Sequence, residues 1–355
     1  MQSRKNFLRI VVKVGSSLIT GKDKGMGLEY LKNIVDEIAV LFGEDKEIVL
    51  VSSGAVSCGM SLLHLKKRPK DMAGLQATAA IGQIELMNVY RKLLEKNNLL
   101  AAQLLLTWDD FEDRKRYLNM RLTLSHLLKS KVLPIINEND TVSTDEIRFG
   151  DNDKLSALVA TLVGADLLLI LSDVEGVYRL PQKEVIELVE EITPQIRRIC
   201  CNTDKEACVG GMSSKITAIK IATDSGIPAI IASGKMRGSL LKAASGQKVG
   251  TLFLSKASCV RGRKRWIAYG VRPRGEIVVD EGAKTALVKN GKSLLSVGIV
   301  EVKGSFAAGE TVSILDATRK EFARGKVNFS SEELTAHKGL RLKDEALHRD
   351  NLVIL

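Results

Sequence analysis

The sequence predicts an α/β protein: a mostly parallel sheet sandwiched by helices, followed by a small β-barrel-like domain. Three observations carry this prediction. Short apolar runs alternate with amphipathic stretches over residues 9–254, and those runs are apolar almost throughout rather than at every second residue. Beyond residue 275 glycines recur at short spacing and helical stripes become few. Strands buried on both faces read as continuous apolar runs, and strand–helix alternation feeds a parallel sheet.

The predicted strands, in order, are IVVKV (10–14), EIVLV (47–51), AAQLLL (101–106), VLPII (132–136), LLLIL (167–171), PAIIA (228–232) and TLFL (251–254). Helical stripes lie between them. In LEYLKNIVDEIAVLF, Leu28, Leu31, Ile34, Val35, Ile38, Leu41 and Phe42 recur at helical spacing. GLQATAAIGQIELMNVYRKLL, YLNMRLTLSHLL and KITAIKIATDSG repeat the pattern, the last closing on a glycine C-cap signal. From residue 275 the segments GEIVVDEG, GKSLLSVGIVEVKGSF, GETVSILD and EFARGKVNFS read as short strands with turns. The division expected is 1–258, a basic linker 259–274, and 275–355.

Composition excludes several classes. With 45% apolar and 27% charged residues the chain suits a folded globular protein rather than a disordered one. No run reaches about 18 apolar residues, so no membrane span is expected, and the N-terminus carries no secretory pattern. Five cysteines without C-x-x-C spacing suggest reduced thiols in a cytoplasm. The net charge of +11 draws on a strip with no acidic residue: Lys256, Arg261, Arg263, Lys264, Arg265, Arg272 and Arg274. Such a strip fits an anionic substrate or a solvated surface as well as RNA, and the C-terminal segment has no aromatic run for base stacking. Nucleic-acid binding is therefore not expected.

In an open parallel sheet, ligands bind beyond the carboxyl ends of the strands, so the loops there are the candidates. Lys13-Val14-Gly15-Ser16-Ser17 and Val51-Ser52-Ser53-Gly54 each lead from a strand into small residues. Freed N–H groups at such turns can cradle phosphate or carboxylate oxygens, or the serines can simply cap helices. Neither G-x-x-x-x-G-K-[ST] nor a strand-following G-x-G-x-x-G occurs. After the fourth strand come NEND (137–140) and GDNDK (150–154). Asp140, Asn152 and Asp153 there could hold the charged ends of an amino acid, lysines, or Mg2+ through water. Lys154 is expected to start the next helix and face solvent. Ser172 and Asp173 end the fifth strand, and Gly210-Gly211-Met212-Ser213-Ser214-Lys215 offers a glycine loop and a second lysine suited to phosphate.

Taken together and in this order, KVGSS, VSSGAV, INENDTVSTDEIRFGDND, LLLILSDVEGVY and GGMSSK resemble the amino acid kinase family. The closing GEIVVDEGAKTALVKNGKSLL and GIVEVKGSFAAGETVSI resemble a PUA domain. The likeness spans nearly the whole chain. It departs after Tyr178, where RLPQKEVIELV lacks a Thr-x-Asp-Pro type turn, and in the short segment before Gly210 that holds Cys200, Cys201 and Cys208.

The resemblance implies ATP-dependent phosphorylation of the side-chain carboxylate of L-glutamate to L-glutamyl 5-phosphate, the first step of proline biosynthesis. It gives Lys13 and Lys215 the transferring phosphoryl group and Asp153 the task of holding both lysines. Ser53, Asp140 and Asn152 would take glutamate. Lys13, Gly15, Ser172, Asp173, Gly210, Gly211, Met212, Ser213, Ser214 and Lys215 would take ATP. No protein metal site is implied, since Mg2+ would be held chiefly by the ATP phosphates. A homo-oligomer (dimer or tetramer), proline as a feedback inhibitor and a glutamyl phosphate reductase as partner are further implications. Other kinases of the family, acting on acetylglutamate, aspartate or UMP, and an RNA-binding role of the PUA segment remain the alternatives.

Overall fold

The computed structural model describes residues 7–20, 27–143, 152–179, 182, 184–201, 211–256, 264, 266–340 and 344–355. The expectations for Gly210, for Cys208 and Cys259, for residues 144–151 of the polar loop and for most of the basic strip lie outside them. The chain forms two compact units, Met1–Ala257 and Ser258–Leu355.

The first unit is built on β1 (Arg9–Val14), β2 (Glu47–Ser52), β3 (Leu100–Leu106), β4 (Val132–Glu138), β5 (Leu167–Ser172), β6 (Tyr178–Arg179), β7 (Glu184–Val185), β8 (Leu188–Val189), β9 (Ala229–Ser233) and β10 (Thr251–Phe253). Eight of them make one sheet in the order β3-β4-β2-β1-β5-β9-β10-β8, and β6 with β7 forms a separate hairpin. The six strands from β3 to β9 along that order pair in parallel, and β10, with β8 parallel to it, runs antiparallel to β9. All seven predicted strands are present. The two-residue β8 was not foreseen, since it is too short to show a period.

Among the described residues ten helices connect them: α1 (Ser16–Ile19), α2 (Leu28–Gly43), α3 (Ala55–Leu62), α4 (Met72–Glu95), α5 (Trp108–Glu112), α6 (Arg114–Lys129), α7 (Asn152–Val163), α8 (Pro194–Cys201), α9 (Met212–Asp224) and α10 (Ser239–Ala244). One sheet face buries Ile10, Val12, Val14 and Leu169 under Leu31 and Ile38 of α2, Leu86 and Tyr90 of α4 and Leu240 of α10. Because side chains alternate along a strand, Val11 and Lys13 point to the opposite face. There α7 packs on β1, β2 and β5, and α9 packs on α7 and β5. Helix α7 is buried nearly all round, which explains why LSALVATLVGA shows no clean amphipathic stripe. Close approach fixes α3 on α4: a Cβ at Gly59 would lie 1.9 Å from the Thr78 carbonyl oxygen, and one at Gly82 1.8 Å from that of Ala55.

The second unit has a five-stranded sheet of β11 (Glu276–Val279), β12 (Ile299–Lys303), β13 (Thr311–Leu315), β14 (Glu321–Lys326) and β15 (Leu352–Ile354), in the order β12-β11-β13-β14-β15. Pairings are antiparallel except β11 with β13. Its core gathers Ile277, Val279, Leu287, Ile299, Phe306, Val312 and Ile314. Two helices were not foreseen, α11 (Glu281–Val288) and α12 (Ser331–Ala336). Both are short but well capped. Asp280 accepts from the Ala283 N–H, and Ser330 and Glu333 cap each other reciprocally.

Candidate functional site

Parallel pairing brings the carboxyl ends of β4, β2, β1, β5 and β9 to one edge of the sheet. The amino ends of α1, α3, α7 and α9 open at the same edge, because each follows one of these strands or packs on them.

At the centre is a buried ion triad. Lys13, one residue from the end of β1, points to the α7 side of the sheet. Asp153, in the first turn of α7, is fully buried and forms a close ion pair with the Lys13 Nζ through Oδ1. Its Oδ2 pairs with Lys215 Nζ at 3.1 Å and accepts from Ser214 Oγ at 3.0 Å, both from the first turn of α9. Lys13 and Lys215 are themselves only 3% and 6% exposed. Buried charges persist only when paired and hydrogen-bonded. One carboxylate thus ties the end of β1 to two helix starts, and both ammonium groups are set side by side.

The end of β2 lies next to it. Gly54 has φ +101°, and the Ile19 side chain lies 2.9 Å from where a Cβ would be, so only glycine fits the turn that starts α3. Ser53 before it is buried, and its Oγ has no hydrogen-bond partner among the described residues. Asn152 opens α7 with both amide hydrogens engaged, donating to the Ser52 carbonyl at 2.6 Å and to Asn137 Oδ1 at 2.7 Å. Only its carbonyl oxygen is then left to meet a ligand.

Asp140 lies just past β4 in a tight turn, where Val142 and Ser143 N–H groups donate to the Asn139 carbonyl. Burial, then the neighbouring Glu138 carboxylate, push its carboxyl up to about 7, against a smaller opposing pull from Arg68. Glu138 is buried and accepts a close hydrogen bond from Ser143 Oγ.

On the other side, the Gly15 N–H donates to the Leu171 carbonyl at 3.1 Å, so the turn after β1 rests against the end of β5. Ser172 is buried and donates from Oγ to Asp173 Oδ1 at 3.1 Å, while Asp173 faces solvent. Gly211 is the N-cap of α9 and accepts from Ser214 Oγ at 2.8 Å; Met212 is half-buried and Ser213 exposed. Lys13, Asp153, Ser214 and Lys215 therefore meet directly. Ser53, Asn152 and Asp140 line the β2–β4 side, and Gly15, Ser172 and Asp173 the β5 side.

Two findings depart from the sequence reading. Lys154 does not face solvent: its Nζ lies 3.9 Å over the centroid of the Trp108 ring, and the residue is half-buried. A polar relay behind the β2–β4 loops was also missed. Asn137 Nδ2 donates to Gln83 Oε1 at 2.7 Å, and Ser52 Oγ shares a hydrogen bond with Tyr90 OH at 2.9 Å. Gln83 and Tyr90 are seven residues apart on α4, on one face. Two polar groups on the core side of an otherwise apolar stripe were the available signal.

Comparison with known proteins fits this geometry. The amino acid kinase family profile matches residues 8–233, and the PUA domain profile matches 275–345. Glutamate 5-kinase of Caldanaerobacter subterraneus subsp. tengcongensis is 46% identical, with 98% of each chain covered. Those of a Thermoanaerobacter species and of Nitrosospira multiformis are 44% and 45% identical, with 98% and 99% of each chain covered. The crystal structure of UMP kinase from Bacillus anthracis superposes with a TM-score of 0.50 at 16% identity, covering 73% of this chain and 100% of that one, a likeness of fold. On these matches the chain belongs to the amino acid kinase family.

Proposed function

We propose that the chain transfers the γ-phosphoryl group of ATP to the side-chain carboxylate of L-glutamate, forming L-glutamyl 5-phosphate. The activity is that named for the glutamate 5-kinases it resembles from end to end. The observation that carries it is the Lys13–Asp153–Lys215 triad between the two rows of polar loops. Phosphoryl transfer asks the protein for in-line positioning and for neutralisation of spreading negative charge. Two ammonium groups fixed by one carboxylate suit the second task.

A general base is not needed, because a glutamate side chain with a pKa of about 4.3 is already ionised at neutral pH. None of His64, His126, His337 or His348 belongs to the loops that form the site. Ser53 Oγ, the Asn152 carbonyl oxygen and the Asp140 carboxylate are the groups assigned to glutamate: a hydroxyl for a carboxylate oxygen, two acceptors for the ammonium. Gly15, Ser172, Asp173 and the 210–215 loop are assigned to ATP. Mg2+ would come bound to the nucleotide phosphates and supply further positive charge there. Asp173, an exposed oxygen donor at the end of β5, is of the hard type that suits it. A cytoplasmic setting, self-association, proline as an inhibitor and a reductase that consumes the labile product go with this reading.

The test is trapping. In the presence of ATP, Mg2+ and hydroxylamine, the folded protein is expected to convert glutamate into glutamyl hydroxamate, and to leave acetylglutamate, aspartate and UMP unphosphorylated. No hydroxamate from folded protein overturns the proposal.

A further inference from the structure

Three consecutive residues in the first turn of α7 have three separate anchors. Asn152 is tied to the ends of β2 and β4, Asp153 to Lys13 and Lys215, and Lys154 to the face of Trp108. Successive side chains leave a helix about 100° apart, so the anchors surround its axis. The proposed function uses the first two. It gives the third no task.

Trp108 offers a firm seat. It opens α5 directly after β3 and is 8% exposed. The Thr107 N–H ahead of it donates to Asp110 Oδ2 at 2.7 Å, and Arg116 of α6 pairs with Asp110 Oδ1 at 3.0 Å. Leu106, two residues earlier, pairs with Glu138 at the end of β4. The ring is thus carried on the same strand ends that hold the substrate loops. A cation over an indole face is attracted by the ring quadrupole, more strongly where water is partly excluded.

We infer that Lys154 is a positioning residue for phosphoryl transfer: held on Trp108, it fixes the rotation of the α7 first turn, and with it the place from which Asp153 holds Lys13 and Lys215. The inference rests on the proposed kinase activity. Helix starts carry N–H groups without intrahelical partners and yield more readily than helix centres. A misplacement of about 1 Å near reacting atoms costs on the order of 10²-fold in rate, so losing one anchor of three should cost about tenfold.

The experiment compares wild type, Lys154→Met, Lys154→Arg and Lys154→Met with Trp108→Phe, by hydroxamate kinetics and thermal melting. Lys154→Met keeps the long apolar stem and is expected to fold. Its kcat should fall about tenfold, with KM for glutamate and for ATP within about twofold of wild type. Lys154→Arg should recover most of the rate, because a guanidinium also stacks on an indole. Trp108→Phe should cost little further kcat once Lys154 is gone. A kcat in Lys154→Met within about twofold of wild type overturns the inference. So does an equal loss in Lys154→Arg, or a rise in glutamate KM at unchanged kcat, which would make Lys154 a substrate contact. A wild type that forms no hydroxamate overturns the proposed function first, and this inference with it.

Discussion

Asp153→Asn keeps the shape of the side chain and removes one charge from the centre of the site. In the native protein that carboxylate is fully buried, with Lys215 Nζ 3.1 Å away and Lys13 closer still. At an effective dielectric of about 20, a pair at that distance attracts by roughly 5 kcal/mol gross. Desolvation of the charges offsets much of this, and removing one partner of a buried pair costs about 3–5 kcal/mol net. At about 2–4 °C per kcal/mol for a domain of this size, the melting temperature should fall by roughly 6–20 °C. Saturating ATP brings phosphate charge to the same two lysines, so it should raise the melting temperature of the variant more than that of wild type. With its lysines no longer aligned, the variant should also lose about 10²–10³ in kcat. Thermal denaturation with and without ATP and the hydroxamate assay read all three effects. A variant that melts within about 2 °C of wild type and keeps kcat within about tenfold refutes the role given to Asp153.

Lys13→Ala and Lys215→Ala should each lower kcat by about 10²–10³ with little change in KM for glutamate, and steady-state kinetics with unchanged kcat would remove them from the transfer step. Asp140→Ala should do the reverse, raising KM for glutamate about tenfold or more while kcat holds. The Asp140 carboxyl is pushed up to about 7, so the acceptor proposed for the substrate ammonium is mostly protonated below that pH and mostly ionised above it. Glutamate affinity should therefore rise about tenfold from pH 6 to pH 8 with a single-proton slope, and an unchanged slope in Asp140→Asn would assign it elsewhere. Glu37 of α2 is buried and accepts from the N–H groups of Gly238, Leu240 and Leu241 at the start of α10. Glu37→Leu should lower stability by about 1–3 kcal/mol with kcat of the folded enzyme unchanged, which equilibrium unfolding and kinetics on the same preparation check.

Much of the first unit was legible because its central strands are buried on both sides. IVVKV and LLLIL contain almost no choice of environment, and a lysine inside IVVKV is conspicuous for that reason. Lys13 had either to reach solvent or to meet an anion, and the structure gives it Asp153. Long helices with one wet face, such as α2, announced themselves in the same way. Helix α7 and the short helices α11 and α12 did not. The first is buried nearly all round, so period carries little information, and the other two depend on caps formed by one or two residues. The loops could be read as a set, but their internal division could not. That Asn152 spends its amide hydrogens on Ser52 and Asn137 follows from two strands and a helix meeting 15 and 100 residues away. Lys154 shows the limit most clearly. An exposed aspect is the ordinary expectation for a lysine in a first turn, and only the placement of Trp108, 46 residues earlier, supplies a ring for it.

The triad also explains why the site's acidic residues need not form a metal cluster. Lys13, Asp153 and Lys215 together carry one net positive charge in a setting with little water. A phosphoryl group in flight spreads negative charge over its equatorial oxygens. An arrangement that is electrically complete only when that charge is present stabilises the transition state more than it stabilises the empty site. Were Asp153 absent, the two ammonium groups would repel each other and drift toward water, and the advantage would be lost even with both lysines in place. Under the proposed function, the carboxylate serves rate without touching substrate, by keeping two cations where the transferring group would pass. Asp140, beside Glu138 just past β4, is the acid that the proposed function assigns to the substrate ammonium. On that assignment Asp153 answers two cations of the protein, and Asp140 one of the substrate.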